Sequence, residues 1–268
     1  QARLLVLLQG DRLEAAQAAR GQLPTADRVL AEALTHPHVD VRANAAKLLA
    51  DHATVAQYRV FIRGLENRDA AVRLYCTRGL GKLRQMAQGA VFDTPDYKPR
   101  GEKTPWIRVH DMKLDALENL LEELNGEPAF CLYQYSHDYE RINERLGYAV
   151  PRVGGGVSAA AGVRLCRAFA GGGIPLLLGH PQSVAHGVDG LQQACKNVIW
   201  FGNDPSWENY YQANLRIVRP GTKADQVNIY HILVDCGVEK AILKTVTGKR
   251  EAETNFLSCL RTFLTSEE

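Results

Sequence analysis

The pattern of hydrophobic and polar positions changes near residue 90. Before that point, Ala and Leu recur at the three- and four-residue spacing of amphipathic helices, with arginines between them. After it, short apolar runs at 129–133, 174–178 and 197–201 alternate with helix-like segments. Apolar strands separated by helices predict a parallel sheet covered on both faces. We therefore expect an N-terminal all-α segment followed by an α/β domain.

The N-terminal segment contains a weak internal repeat. Arg12, Arg42 and Arg73 each open a similar Ala- and Leu-rich stretch, and they are 30 and 31 residues apart. A period of this size, built from paired helices, is typical of an α-solenoid.

The turn between two of these helices has a recognisable composition. Residues 36–42 resemble the inter-helix turn of a HEAT repeat, in which Pro37 ends one helix and Asp40 caps the next. We interpret residues 1–68 as HEAT-like repeats. The alternative is a generic helical subdomain. These helices are also a candidate surface for a protein partner.

The rest of the chain predicts a linker and then a regular series of elements. Residues 93–106 are polar, contain three prolines and are expected to form a surface loop. Helices are expected at 111–124, at 136–146 with Ser136 as N-cap, at 158–169, at 205–218 and from 238 onward, with a further strand at 227–234. The expected domains are helices at 1–68, a connecting helix and loop at 69–110, and the α/β domain at 111–268.

Composition narrows the classes of function only slightly. The chain has 268 residues, 46% of them hydrophobic, and its net charge of +2 argues neither for nor against nucleic acid. Six cysteines lie far apart and form no CxxC motif. We therefore expect no metal site, and we expect the cysteines to be reduced thiols in the core. No apolar run approaches the roughly 18 residues of a membrane span, which favours a cytoplasmic protein without a membrane partner.

The most informative stretch is a set of three polar side chains near residue 215. Gln212, Arg216 and Arg219 are spaced by four and three residues, which places them on one face of a helix that Pro220-Gly221 would end. Guanidinium groups suit a phosphate because the planar fork pairs with two of its oxygens. A solvated basic face is the alternative interpretation.

Loops that follow the predicted strands carry further candidate chemistry. Gly154-Gly155-Gly156 precedes a helix that starts at Ser158, so this turn is either a phosphate site or simply a tight turn. The loop at 179–191 contains His180 and His186, but no third ligand is well placed for a metal. It also contains a serine and an aspartate, but no G-x-S-x-G motif supports a hydrolase triad.

Taken in order, these residues resemble a known family. From about Leu83 to the C-terminus, the chain resembles the second RecA-like lobe of superfamily two helicases, particularly the compact Swi/Snf-type ATPases of phages and bacteria. The segments that carry the resemblance are residues 83–91, 110–117, 130–135 (motif IV), 154–158, 177–191 (motif V) and 212–221 (motif VI).

The resemblance implies that a group of residues forms one side of an ATP-binding site. Arg216 and Arg219 match the motif VI arginines that act as fingers on the ATP γ-phosphate, and Gln212 would orient their helix. Such fingers are worth roughly 10³- to 10⁵-fold in rate where they have been measured. Gly187 and Asp189 of motif V, together with Gly221, are implied to contact the nucleotide.

The resemblance also implies contacts to DNA. Five residues fall where the family touches the phosphate backbone without reading its sequence: Gln134, Ser136, Gly156, Ser158 and Ser183.

One half of such a motor is absent from the sequence. There is no G-x-x-x-x-G-K-[ST] motif and no D-E-x-x box, so the first lobe, which would hold ATP with Mg²⁺, is expected in another polypeptide or in a part removed from this one. The chain is thus expected to be the C-terminal half of a DNA helicase or translocase, inactive alone. The alternatives are a non-catalytic HEAT-like scaffold with a degenerate helicase lobe, and a small-molecule transferase.

Overall fold

The computed structural model describes residues 5, 8, 13–21, 25–54, 57–93, 104–154, 156–187, 190–193, 195–218 and 226–248. These residues divide into two compact units between Arg84 and Gln85. The division falls within the segment 69–110 that the sequence predicts as a connection.

The first unit is helical throughout its described part, as the sequence predicts. Its amphipathic helices bury Leu30, Leu48 and Phe61, each fully removed from solvent. The helices are α1 (Leu13–Gly21), α2 (Ala26–Ala33), α3 (Val39–Asp51), α4 (Tyr58–Gly64) and α5 (Ala70–Gln88), the last of which continues into the second unit.

Two turns of this unit use an arginine in the same way. The Arg42 guanidinium donates to the carbonyl oxygen of His36 at 2.8 Å and pairs with Asp69 at 3.2 Å. One repeat later, Arg73 donates to the carbonyl oxygen of Asn67 at 2.7 Å, again six residues earlier in the chain. The weak sequence repeat therefore corresponds to a recurring turn geometry. Assignment of these helices to HEAT repeats stays a prediction.

The predicted cap of α3 is wrong in detail. His38, rather than Asp40, is the N-cap residue, and Asp40 lies in the first turn. A carboxylate in the first turn still interacts favourably with the positive end of the helix dipole. The composition of the turn therefore marked the start of the helix but not its capping residue.

Helices α4 and α5 approach closely through small residues, which gives a testable contrast. A Cβ atom added to Gly79 would lie 2.6 Å from the buried Phe61 ring, whereas one added to Gly81 would meet nothing within 4 Å. We expect Gly79→Ala to lower the free energy of unfolding by about 1–3 kcal/mol through overpacking. Gly81→Ala should instead raise it by about 0.5–1 kcal/mol, since alanine favours the helix. Urea unfolding measures both, and equal effects would contradict the packing described.

The second unit is an α/β domain built on a five-stranded parallel sheet with the strand order β4-β5-β3-β6-β7. Its strands are β3 (Ala129–Leu132), β4 (Arg152–Val153), β5 (Leu176–Gly179), β6 (Asn197–Trp200) and β7 (Asn228–His231). Its helices are α6 (Met112–Glu123), α7 (Ser136–Leu146), α8 (Ala159–Ala170), α9 (Pro181–Gly187), α10 (Trp207–Leu215) and α11 (Gly237–Thr247). The prediction of a parallel α/β fold is confirmed.

The sheet is covered on both faces, which explains its continuous apolar runs. All residues of β3, β5 and β6 are buried. One hydrophobic cluster contains Phe130 and Trp200, and a second contains Cys131 and Ile199, which point to the opposite face. Because the strands are parallel, their carboxyl ends meet at a single edge of the sheet.

Some element boundaries differ from the sequence-based expectation. Helix α7 begins at Ser136, but its N-cap is Tyr135, so Ser136 is not the capping residue. The amide groups of Gln134 and Tyr135 instead donate to the Asp138 carboxylate, at 3.2 and 2.9 Å. Ser136 was expected to cap the helix because it is short and polar, but the residue that accepts these hydrogen bonds is Asp138.

The predicted surface loop is bordered by a small hairpin. Strands β1 (Ala90–Phe92) and β2 (Trp106–Arg108) pair antiparallel, so Trp106 lies in a strand and not in the loop. The Trp106 indole donates to Glu140 of α7 at 2.8 Å. Three-residue strands carry too little periodicity to be recognised from the sequence. Residues 94–103 lie outside the described part.

No helix among the described residues is long and apolar enough to cross a membrane.

Candidate functional site

The carboxyl edge of the sheet gathers the polar loops. In register, Leu132 of β3 lies opposite Gly179 of β5 on one side and Trp200 of β6 on the other, and Trp200 lies opposite His231 of β7. The residues after each strand therefore lie side by side. In parallel α/β sheets, ligands bind in the crevice outside this edge.

The loops after β4 and β5 contact each other directly. Gly154 has φ of +77°, and a Cβ atom there would overlap the Ser183 side chain. A residue with a side chain would thus be strained and would also clash. Gly154 therefore has a structural role, and it brings Ser183 of α9 next to the glycine-rich turn.

Ser158 and Gly156 complete this part of the edge. The Ser158 hydroxyl accepts the Ala161 amide hydrogen at 3.3 Å and caps α8, and Ser158 is exposed. Gly156 has φ of +90° and open space around its Cα atom. A helix start with exposed small residues leaves backbone amides accessible to an anion.

Gln134 lies in the middle of the edge, directly after β3. Its carbonyl oxygen is 3.1 Å from His180 Nε2. Its side-chain Oε1 is shielded from solvent and has no hydrogen-bond partner among the described residues. A ligand at the edge could form a hydrogen bond with this unpaired atom. The atom is an acceptor as assigned, and it would be a donor if the amide were flipped. Ser136, two residues later, is exposed at the start of α7.

The structure thus brings the five predicted DNA-contact residues to neighbouring strands. They follow β3, β4 and β5, which are adjacent in the sheet. Their distribution is a placement and does not by itself test their role.

Helix α10 follows β6 and carries Gln212 and Arg216. It begins after Ser206, whose hydroxyl accepts the Asn209 amide hydrogen, and ends at Leu215, three residues earlier than the sequence predicts. Arg216 is the C-cap with helical dihedral angles, φ −68° and ψ −21°, so it stays in phase with Gln212 one turn earlier. Both side chains are half-buried. Arg219 and Gly221 lie outside the described residues.

Helices α9 and α10 pack against each other. Gly187 is the last residue of α9, and Asp189 lies outside the described residues. The motif V-like and motif VI-like segments are therefore neighbours along the part of their length that the structure describes.

A cluster of aromatic and polar side chains fixes α10 to the sheet. Tyr210 and His231 pack against the fully buried Trp200, whose indole donates to Asn214 Oδ1 at 3.2 Å. His231 Nδ1 lies 2.7 Å from Asn203 Oδ1, and its Nε2 lies 3.2 Å from the Tyr210 hydroxyl. A neutral ring that donates from Nδ1 and accepts at Nε2 satisfies both contacts. This cluster positions the helix that carries Gln212 and Arg216.

The His231 cluster predicts a loss of stability in acid. Burial, and secondarily the Lys113 ammonium, lower the pKa of His231 to about 4 from its usual 6.5. Between those values the unfolded state binds the extra proton, so stability is complete above pH 6.5 and falls as the pH drops. At pH 4.5, His231 should have removed about 2–3 kcal/mol from the free energy of unfolding.

The comparison of wild type with His231→Gln measures this contribution. Urea unfolding at pH 7.5 and 4.5 should show a smaller acid loss in the variant, because glutamine does not titrate in this range. His52 and His110, whose pKa values burial also lowers, titrate in both proteins and cancel in the difference. Equal acid losses would contradict the prediction.

The sequence did not single out His231, Asn203 or Tyr210. The signal available was that Asn203 lies three residues after the buried strand β6 and that His231 is a polar residue at the end of β7. Their mutual contacts depend on the strand order, which the sequence pattern did not specify.

No group of three His, Cys, Asp or Glu side chains in the described part of the chain is arranged to hold a metal ion. Cys76, Cys131, Cys166 and Cys195 are buried free thiols.

Known proteins offer limited similarity. No protein-family model matches the chain. Protein p41 of the Acyrthosiphon pisum secondary endosymbiont phage 1 is 28% identical over 185 residues, which cover 67% of this chain and 37% of that protein. The chain therefore spans well under half the length of this relative.

A solved structure is similar to this chain over nearly the whole length of both. It is the crystal structure of the C-terminal part of the Fun30 ATPase domain, with a TM-score of 0.48 and 14% identity, over 96% of this chain and 94% of that chain.

Proposed function

We propose that this chain is the second motor lobe of an ATP-dependent DNA helicase or translocase of the Swi/Snf type. The observation that carries the proposal is the arrangement of the carboxyl edge. Residues that resemble helicase motifs IV, V and VI follow β3, β5 and β6 in the family's order, and those strands are adjacent.

The polar residues that follow the strands form two chemically different groups. The group after β4, β5 and β3 consists of small polar residues and accessible helix starts, which suit a phosphodiester backbone. The group after β6 consists of Gln212 and Arg216 on α10, which the Trp200 cluster anchors to the sheet. A guanidinium group held in this way suits a single phosphate group whose charge grows during a reaction.

ATP would supply the phosphoryl group that is transferred to water, and a first lobe would hold its Mg²⁺. In this chain Arg216, with Arg219, would stabilise the negative charge that develops on the γ-phosphate oxygens. Gln212 would hold the orientation of α10. The aromatic cluster around Trp200 would limit movement of this helix, so that little reorganisation is needed during the reaction.

The first test is the activity of the chain by itself. We expect the purified 268-residue protein to show no ATP turnover above background, with or without DNA, because the sequence lacks a Walker A motif. Measured release of inorganic phosphate that is robust and DNA-stimulated would contradict the proposal. Addition of a first lobe to the wild-type chain separates an incomplete motor from a non-catalytic scaffold, because only the motor gains turnover from it.

A further inference from the structure

The five predicted DNA contacts at the carboxyl edge share one property, which is that none of them carries a charge. They are a glutamine, a glycine and three serines. The segments that follow β3, β4 and β5, at 133–135, 154–158 and 180–190, contain no lysine or arginine either. Binding of a phosphodiester backbone in water depends strongly on cations, which displace its counterions. A cation from a neighbouring element is therefore expected beside these residues.

Arg152 of β4 lies close to this edge. The residue after it, Val153, is opposite Gly179, the last residue of β5, and then the chain enters the glycine-rich turn. Val153 belongs to one of the two hydrophobic clusters, so alternation along the strand places Arg152 on the opposite face of the sheet. The cluster on that face contains Ile142 of α7. Arg152 therefore lies between the edge of the sheet and α7.

The Arg152 guanidinium stacks on an aromatic ring of α7. Its central carbon lies 4.2 Å from the ring centroid of Tyr139, whereas three other arginine–aromatic contacts among the described residues measure 5.5–6.0 Å. Tyr139 is three residues after Ser136 and is therefore on the same side of the helix. Helical side chains lean toward the N-terminus of their helix. The stack thus lies on the side of α7 that carries the exposed Ser136.

Tyr133 and His180 connect Arg152 to the middle of the edge. Burial raises the pKa of the Tyr133 hydroxyl, and the charge of Arg152 and a hydrogen bond from it oppose this rise. The Tyr133 ring meets the His180 ring edge-on, with centroids 6.0 Å apart. His180 Nε2 in turn lies 3.1 Å from the Gln134 carbonyl oxygen. Arg152 therefore belongs to the same connected group of side chains as the predicted contact Gln134.

The positive charge of Arg152 is not neutralised by the protein. No carboxylate in the described part of the chain lies within 4.0 Å of it. Arg141 of α7, by contrast, is fully buried and pairs with Asp111 at 3.1 Å. Contact with the Tyr139 ring uses the flat face of the guanidinium, which leaves N–H groups in its plane for phosphate oxygens. Arg152 is partly exposed, so a ligand at the edge can reach it.

We propose that Arg152 binds a backbone phosphate of the DNA strand that the neutral residues of the edge contact. The inference rests on the proposed function, because it takes a strand at this edge as given, and it adds the residue that supplies the charge. The competing role for Arg152 is structural, since its stack on Tyr139 could simply brace the two-residue strand β4 against α7.

The test is the affinity of the whole 268-residue chain for a random-sequence 30-bp DNA duplex, measured by fluorescence anisotropy at several salt concentrations. Arg152→Gln should bind about three- to tenfold more weakly, and the slope of log K against log salt should become shallower by about 1. Arg152→Lys keeps the charge and should retain the wild-type slope. The control Arg167→Gln removes an exposed cation from the last turn of α8, at the far end of that helix from Ser158, and should bind as wild type.

Two results would overturn the inference and leave the proposed function standing. One is weaker binding by Arg152→Gln at an unchanged salt slope, which would assign the residue to bracing β4. The other is equal affinity and equal slope for this variant and wild type, with circular dichroism showing both folded. A wild-type chain that fails to bind the duplex even at low salt would instead contradict the DNA contacts of the proposed function, and the inference with them.

Discussion

Replacing Arg216 by alanine is expected to lower kcat for ATP hydrolysis by about 10³- to 10⁵-fold once a first lobe completes the site. The reason is that a guanidinium group aimed at the γ-phosphate stabilises charge that is larger in the transition state than in bound ATP. KM for ATP should therefore change much less than kcat. Steady-state phosphate release with saturating DNA measures both constants.

Two companion variants sharpen this measurement. Arg216→Lys keeps the charge but loses the bidentate fork, so its kcat should lie between those of wild type and Arg216→Ala. Lys196→Ala removes a cation that precedes β6, at the opposite edge of the sheet, where it pairs with Glu127 at 2.9 Å. It should leave kcat unchanged. An Arg216→Ala protein with wild-type kcat would show that the arginine takes no part in the reaction.

Replacing Lys113 by methionine is expected to lower the free energy of unfolding by about 3–5 kcal/mol. Lys113 and Glu239 are each 1% exposed, and their charged atoms lie 2.6 Å apart. The Lys113 ammonium also donates to the Phe201 carbonyl oxygen at 3.1 Å. Loss of the lysine would leave the Glu239 carboxylate buried without its counter-charge, which is the costly step.

The double variant Lys113→Met, Glu239→Leu tests that explanation. It removes both charges, so most of the lost stability should return. As a control, Arg145→Met breaks partly exposed pairs with Asp115 and with Glu118, the latter 3.3 Å apart, and should cost less than about 1 kcal/mol. Urea unfolding measures all three. A double variant no more stable than Lys113→Met would show that lost packing, not the unpaired charge, is the cause.

The sequence predicted the elements of the second unit better than their interactions. Apolar runs identified β3, β5 and β6 because strands buried on both faces need no polar residue. The pairing of Lys113 with Glu239 could not be predicted, because it joins residues 126 positions apart through the tertiary fold. Isolated charged residues in amphipathic helices are normally assigned to the solvent side.

In the candidate site, too, local geometry could be predicted from the sequence, whereas tertiary contacts could not. The spacing of Gln212 and Arg216 gave their common side of α10, since that depends only on local helix geometry. The anchoring of this helix through Tyr210, His231 and Asn203 depends on which strand lies beside β6. The predicted roles of Arg219, Asp189 and Gly221 stay predictions, because these residues lie outside the described part of the chain.

The central position of β3 in the sheet has a mechanical consequence. A Cβ atom on Gly202 would lie 2.8 Å from the Gln134 backbone nitrogen, so these main chains are in close contact, while the Gln134 carbonyl binds His180. Gln134 therefore contacts both the loop that leads to α9 and the loop that leads to α10. Because it contacts both loops, a displacement of the Gln134 main chain would press on one loop or pull on the other. The loops that lead to α9 and α10 are thus mechanically coupled through the Gln134 main chain.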